Sequence, residues 1–258
     1  MESKFVSKKF LNDFKAHISN GTESIRFYND EYFLKFIKKE YLNQDRIYTI
    51  ERLDELKHDS LVTPEFLLYD RTGTLGYGMI NYRDFSFIDT IISGSIFDKT
   101  DKESFERRKE LMIKLSKTID FINNNGFAYY DIYSKNILFN HNDLKLIDLD
   151  GGVFKGHKNQ ETDYESAFYF SSHRIALFTL AYLYNVDYKK FQELFSKRKG
   201  FLEETKETLF DYLPYNLREF FKYSISNTYS VFDETTKCLI DYDYQTYLDT
   251  ISILKRTK

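Results

Sequence analysis

Asp131, Asn136 and Asp148 fall within one stretch, YYDIYSKNILFNHNDLKLIDLDGG, residues 129–152. A carboxylate removed from water without a partner is costly. Acidic residues at the ends of apolar runs therefore either stay wet or hold something positive. Two short runs, 136–139 and 144–147, read as strands, and His141, Asn142 and Asp143 between them have turn character. Folding the runs antiparallel about Asn142 sets Ile137 against Ile147, Leu138 against Leu146 and Asn136 against Asp148. Directly opposed residues hold their Cβ atoms roughly 4.5–5.5 Å apart. One amide oxygen and one carboxylate then converge, a donor set that suits Mg²⁺, which keeps further places for water and phosphate. Asp131, five residues before Asn136, approaches the same place from the loop leading in. It is positioned there as a base rather than a ligand. A polar-ended surface hairpin would share the turn, but not the spacing D-x-x-x-x-N-I-L followed 12 residues after the Asn by an Asp.

The elements that must position these groups follow from periodicity. Residues 24–27 and 31–38 are strand-like around the turn signal Asn29-Asp30. Ile47, Ile50, Leu53 and Leu56 recur at helical spacing over 45–56. Residues 65–70 and 75–82 read as two more strands around Arg71-Thr72-Gly73. A long helix is predicted over 102–123, stopped at Asn125-Gly126. The near-continuous apolar run 173–184 reads as a buried helix, and further amphipathic helices close the chain. The fold class is thus α+β, with a β-rich unit over 1–82 and a helical unit over 83–258, together forming one domain.

Composition sets the outer bounds. The 258 residues suffice for a substantial core. A net charge of −3 gives no electrostatic case for nucleic acid as a partner. Lys197, Arg198 and Lys199 read as a solvated helix end. Cys238 is the one cysteine, so an intrachain disulfide is impossible, which fits a reducing cytoplasmic setting. Residues 1–15 are polar and read as no secretory signal, and no apolar run is long enough to predict a membrane span.

The 129–152 segment resembles the catalytic loop and metal-binding segment of the protein-kinase-like superfamily. The resemblance covers roughly 15–185 and implies a two-lobed fold that transfers the γ-phosphoryl group of ATP, with Mg²⁺, to a hydroxyl. Asp131 matches the catalytic aspartate, and Asn136 and Asp148 match the metal-binding residues. Lys35, in EYFLKFIKK, matches the lysine that touches the α- and β-phosphates; it alternates with Leu34 and Phe36 and so points away from their face. Glu51 in TIERLDEL is the expected helix glutamate holding Lys35, with Glu55 as the second choice. ISNGTESIRF stands where the glycine-rich loop belongs. Gly21, Thr22, Glu23 and Ser24 would offer amides to phosphate, and Ile25 or Phe27 would cap the adenine. Met79 takes the gatekeeper position, and the main chain of Ile80, Asn81 and Tyr82 would bond the adenine.

Several family features are altered. The H-R-D element reads Tyr129-Tyr130-Asp131, and D-F-G reads Asp148-Leu149-Asp150. Without the Arg, activity is expected to be independent of activation-segment phosphorylation. The Lys common two residues after the catalytic Asp is Tyr133, with Lys135 and Lys145 as candidates to replace it. No A-P-E element is visible, and no brace for the catalytic loop is evident around Ser172 and His173. Small-molecule kinases of the aminoglycoside or choline type share these absences but commonly insert helices after the hinge, for which 83–126 leaves little room. Protein Ser/Thr is therefore the first acceptor. A small-molecule hydroxyl is the alternative, with Glu161, Asp163 and Glu165 available to a cationic acceptor, and a nucleotide-binding scaffold without catalysis is the third reading.

Overall fold

A computed structural model describes residues 1–17, 22–88, 101–129, 131–141, 143–157, 164–168, 182–183, 215 and 239–256. The fold is α+β. Its first part is a six-stranded sheet built from β1 (Glu2–Phe5), β2 (Lys15–Ala16), β3 (Ser24–Tyr28), β4 (Tyr32–Ile37), β5 (Phe66–Asp70) and β6 (Gly73–Ile80), in the order β1-β5-β6-β4-β3-β2. β1 pairs parallel with β5, Glu2 beside Phe66 through Phe5 beside Tyr69. Periodicity could not reveal β1, because its side chains are mostly exposed and it is held by main-chain bonds to β5. The short helix α1 (Lys8–Leu11) follows it, capped by Ser7, whose Oγ accepts from Phe10 N–H at 3.1 Å.

The β3–β4 hairpin turns where Asn29 and Asp30 stand. Asn29 Oδ1 accepts from the N–H groups of Glu31 (2.9 Å) and Tyr32 (2.7 Å), an Asx turn. Alternation along β4 then sorts side chains by face. Leu34 and Phe36 pack with Phe66 and Leu68 on the outer face, beneath Phe10 and Phe14. Phe33 and Ile37 pack with Ile50, Tyr77 and Met79 on the inner face, and Lys35 lies between them. Gly76 of β6 has φ +155, and a Cβ there would run into the Lys35 carbonyl oxygen, so a side chain at 76 would displace β4.

Helix α2 (Gln44–Arg52) lies on the inner face, with its first turn capped by Asn43 Oδ1 accepting from Arg46 N–H at 2.8 Å. The helix predicted over 45–56 ends at Arg52, and a 3₁₀ turn, Leu53–Glu55, continues it. That turn buries Leu53 and, with it, Leu56.

The second part centres on α3 (Lys102–Asn124), capped by Asp101 and stopped at Gly126, whose φ of 70 lies in the left-handed region. Leu111, Leu115, Ile119 and Ile122 form a buried stripe, while Ile113 is only partly buried. Around α3 lie β7 (Ser86–Phe87), β8 (Phe127–Ala128), β9 (Ile137–Asn140), β10 (Asp143–Leu146), β11 (Val153–Phe154) and α4 (Tyr244–Arg256). Tyr182 and Leu183 are buried in the same core; the rest of the helix predicted over 173–184 lies outside the described residues, as do Lys197–Lys199 by number and Cys238. No helix among the described residues is long and apolar enough to cross a membrane.

The β9–β10 hairpin forms, with a register one residue from the expected one. Asn140 pairs with Asp143, Lys145 with Leu138 and Leu146 with Ile137. The turn is therefore a two-residue connection at 141–142, with His141 at φ 47, rather than three residues centred on Asn142. Tight two-residue turns with positive φ match strand twist. As a result Ile147, not Asp148, meets Asn136 across the hairpin, with Ile147 N–H donating to Asn136 O at 2.9 Å. Asp148 comes one residue later.

The two parts are stitched together beside this hairpin. Leu146 N–H donates to Ser60 O at 2.7 Å, Val62 N–H donates to Leu146 O at 3.0 Å, and Lys145 Nζ donates to Asp59 O at 2.6 Å. Leu53, Leu56 and Leu61 join the α3 core from the sheet side.

Candidate functional site

Between the inner face of the sheet and the β9–β10 hairpin lies a cleft of about 630 Å³. Lys35 and Met79 line it from the sheet, Ile80, Asn81 and Tyr82 from the connection after β6, and Asn136 and Asp148 from the hairpin. Seven expected site residues thus share one cavity. The Asn81 amide is already used, donating to Glu31 O at 2.9 Å, and its Nδ2 donates to Asn29 O at 2.5 Å. The Asn81 N–H is therefore not free to meet adenine, although Asn81 lines the cleft with Ile80 and Tyr82.

Lys35 is 3% exposed, and its ammonium is held by two carboxylates. Nζ donates to Asp148 Oδ1 and, at 2.6 Å, to Asp150 Oδ1. Asp150 is 2% exposed and gathers three further donors. Tyr77 Oη donates to its Oδ1 at 2.8 Å, and Arg46 Nε and Nη2 donate to its Oδ2 at 2.8 and 2.6 Å. Arg46 also pairs with Glu23 at 2.7 Å. Burial pushes the Asp150 carboxyl up, but the charges of Lys35 and Arg46, with hydrogen bonds from Lys35 and Tyr77, outweigh it and hold the group well below the usual carboxylate range. Burial pulls the Lys35 ammonium down, and the charges of Asp150 and Asp148 outweigh it, leaving the group raised.

This corrects the expectation for Glu51. Glu51 is exposed near the end of α2, and the carboxylate deepest against Lys35 is Asp150. Glu55, the second choice, pairs with Arg52 on the surface. The charge that α2 sends inward is a cation, Arg46, so the anion bridging helix and lysine has to come from elsewhere, and Asp150 supplies it where the family pattern has glycine. Two sequence signals were available: an extra aspartate in D-L-D, and an arginine in the first turn of α2 that needs a buried anion.

On the hairpin side, Asn136 Nδ2 donates to Tyr129 Oη (3.0 Å), Asp131 O (2.9 Å) and Asp131 Oδ2 (2.9 Å). That orientation turns Oδ1 away from these acceptors and gives the cleft an amide oxygen. Asp131 is bonded to Asn136 and is not itself among the residues lining the cleft. Tyr129 is fully buried, and its hydroxyl donates to Ile147 O at 3.2 Å. It is a brace for the loop bearing Asp131 that sequence reasoning missed. Asp148 has φ 64 and ψ 38, a left-handed conformation that only a minority of non-glycine residues adopt and that concentrates at functional sites. Asn136 and Asp148 supply two oxygens, a share that suits a magnesium ion whose other positions go to phosphate and water. Among the described residues, no group of three His, Cys, Asp or Glu side chains would hold a metal by itself.

The loop before β3 is described only in part. Gly21 lies outside the described residues. Thr22 O accepts from Lys38 Nζ at 2.5 Å, and Ser24 Oγ accepts from Arg26 Nε at 3.2 Å. Ile25 is exposed, and Phe27 packs on the outer face against Phe36. Neither caps the cleft, because strand alternation turns Arg26 inward instead, opposite Lys35 in the β3–β4 ladder. Of the two lysines offered for the catalytic loop, Lys135 lines the cleft, whereas Lys145 is tied to Asp143 (3.0 Å) and Asp59 O. Glu165 is exposed; Tyr130, Glu161, Asp163, Ser172 and His173 lie outside the described residues. Compared with protein-family models and with curated proteins, the chain matches none.

Proposed function

We propose that the protein is an ATP-dependent phosphotransferase with a two-lobed protein-kinase-like architecture. The 1–82 unit and the 83–258 unit would close on the nucleotide, with protein Ser/Thr as the first acceptor. The supporting observation is the convergence, across one cleft, of Lys35 from the sheet with Asn136 and Asp148 from the hairpin, Lys35 and Asp148 in ion-pair contact. These groups come from segments more than a hundred residues apart, and a polar-ended surface hairpin would not bring them together.

When bound, Mg-ATP supplies the phosphoryl group and a cation to neutralise its charge. Lys35, fixed by Asp150, would hold phosphate oxygens. Asn136 Oδ1 and the Asp148 carboxylate would hold the metal. Asp131, set by the Asn136 amide, would orient the acceptor hydroxyl and take its proton. Met79, Ile80 and Tyr82 would line the adenine end. Protein as acceptor is favoured by the short sequence between Tyr82 and α3, which begins at Lys102.

Incubating the purified chain with γ-labelled ATP and Mg²⁺, beside an Asp131→Ala control, tests the proposal. Label is expected on the chain itself or on a generic Ser/Thr protein substrate, and is lost in the control. Label only on an added aminoglycoside or amino alcohol would move the acceptor to small molecules. ATP binding without transfer to any acceptor would reduce the protein to a nucleotide-binding scaffold.

A further inference from the structure

We infer that Arg26 and Lys135 form a two-sided side-chain grip on the phosphates of the bound nucleotide, taking over work that backbone amides do in a glycine-rich turn. The inference rests on the nucleotide reading above. Close approach of main chain to phosphate calls for glycine, and residues 17–23, HISNGTE, contain one. At the described end of that segment the polar contacts fall on oxygens, and one of them is a carboxylate. Thr22 O and Glu23 O accept from Lys38, and the Glu23 carboxylate, itself repulsive to phosphate, pairs with Arg46.

Arg26 stands where the turn would have acted. It is opposite Lys35 in the ladder, so both side chains project from the same face into the cleft. Its Nε is anchored by Ser24 Oγ, and its Nη2 is 3.9 Å from Asp148 Oδ2, an ion pair too long for a hydrogen bond. A half-anchored guanidinium retains donors for a phosphate, whose geometry its planar fork matches. Lys135 rises from the opposite wall, in the 3₁₀ turn Ser134–Asn136. Its ammonium forms no ion pair with any described residue. Arg83, the other cleft arginine, is tied to Asp30 at the far end. Arg26, Lys35 and Lys135 are set against Asp148 on the cleft wall and Asp150 behind Lys35, a balance that stays positive toward a polyanion.

Calorimetric titration of the full chain with adenosine, ADP and ATP in the presence of Mg²⁺ tests the grip. The wild type should bind more tightly with each added phosphate. Arg26→Gln and Lys135→Gln should each lower the ATP-to-adenosine affinity ratio about tenfold, the value of one charge-assisted contact, and the double variant should lower it further. Adenosine affinity and the melting temperature should hold, and Arg83→Gln, removing equal charge from the same cleft, should preserve the ratio. An unchanged ratio in both single variants, with ATP still bound, overturns the grip and leaves the nucleotide reading standing. An equal loss in Arg83→Gln also overturns it, reducing the effect to net charge. A wild type that binds none of the three ligands overturns both.

Discussion

Lys35 Nζ lies 2.6 Å from Asp150 Oδ1, and both groups are almost fully withdrawn from solvent. The carboxylate is shared, with one oxygen facing the lysine and Tyr77 and the other facing Arg46 of α2. One buried anion therefore fixes the sheet lysine, the helix and the segment after β10 relative to one another. The arrangement is self-contained, since its cations and its anion all come from this chain.

Asp150→Asn removes the anion that Lys35 and Arg46 share, leaving Lys35 to Asp148 and Arg46 to Glu23. Because each cation keeps a second carboxylate, the cost should be that of the lost charge-assisted hydrogen bonds, about 1.5–3 kcal/mol, rather than that of an uncompensated buried charge. Urea denaturation should show a loss of that order. Loss under about 1 kcal/mol would mean that Asp148 and Glu23 suffice for the two cations and that Asp150 does not fix them.

The same carboxylate sets an acid limb of stability. Its folded-state value is depressed, so its contribution is complete above the unfolded value of about 3.9 and is lost as pH falls through the lower folded value. Lys35 is raised, so its contribution is complete below about pH 10.4 and is lost only as pH rises through its folded value. The stability gap between wild type and Asp150→Asn should therefore be flat from about pH 5 to 9 and narrow below about pH 4. A gap that widens in acid would contradict the depressed carboxyl.

Glu51→Gln separates this arrangement from one in which α2 supplies the carboxylate. Glu51 is exposed and away from Lys35, so its substitution should change stability by no more than about 0.5 kcal/mol and leave ATP affinity intact. A loss of ATP binding comparable to that in Lys35→Met would restore Glu51 as the partner.

These contrasts show which features were legible in the sequence. Lys35 and the strands around it followed from period-two alternation, which a half-buried sheet enforces locally. The α3 stripe followed from helical period in the same way. Glu51 did not, because choosing among several carboxylates on or near a helix needs the rotation of that helix about its axis, which tertiary packing decides. Arg46 turns inward instead. The hairpin register was off by one, since 140–143 permits either a two- or a three-residue turn and both keep apolar side chains paired. Ile25 was placed in the cleft although the alternation that fixed Lys35, carried across to β3, selects Arg26. The rule was sufficient there, and the cross-strand pairing that carries it was not visible.

Tyr129→Phe probes the brace behind the hairpin. The hydroxyl accepts from Asn136 Nδ2 and donates to Ile147 O, the carbonyl one residue before Asp148. It thereby ties the loop bearing Asp131 to the strand end bearing Asp148. Phenylalanine keeps the ring and its packing but removes both bonds in a fully buried setting, which costs about 1–3 kcal/mol. Asn136 retains two bonds to Asp131, so its amide should keep its orientation. The chain after Ile147 loses one of its anchors. Stability should fall by that amount and, under the proposed function, phosphoryl transfer should fall more than nucleotide affinity, because Asp148 then holds its left-handed conformation less firmly. A variant with full stability and an unchanged turnover rate would remove Tyr129 from the positioning role.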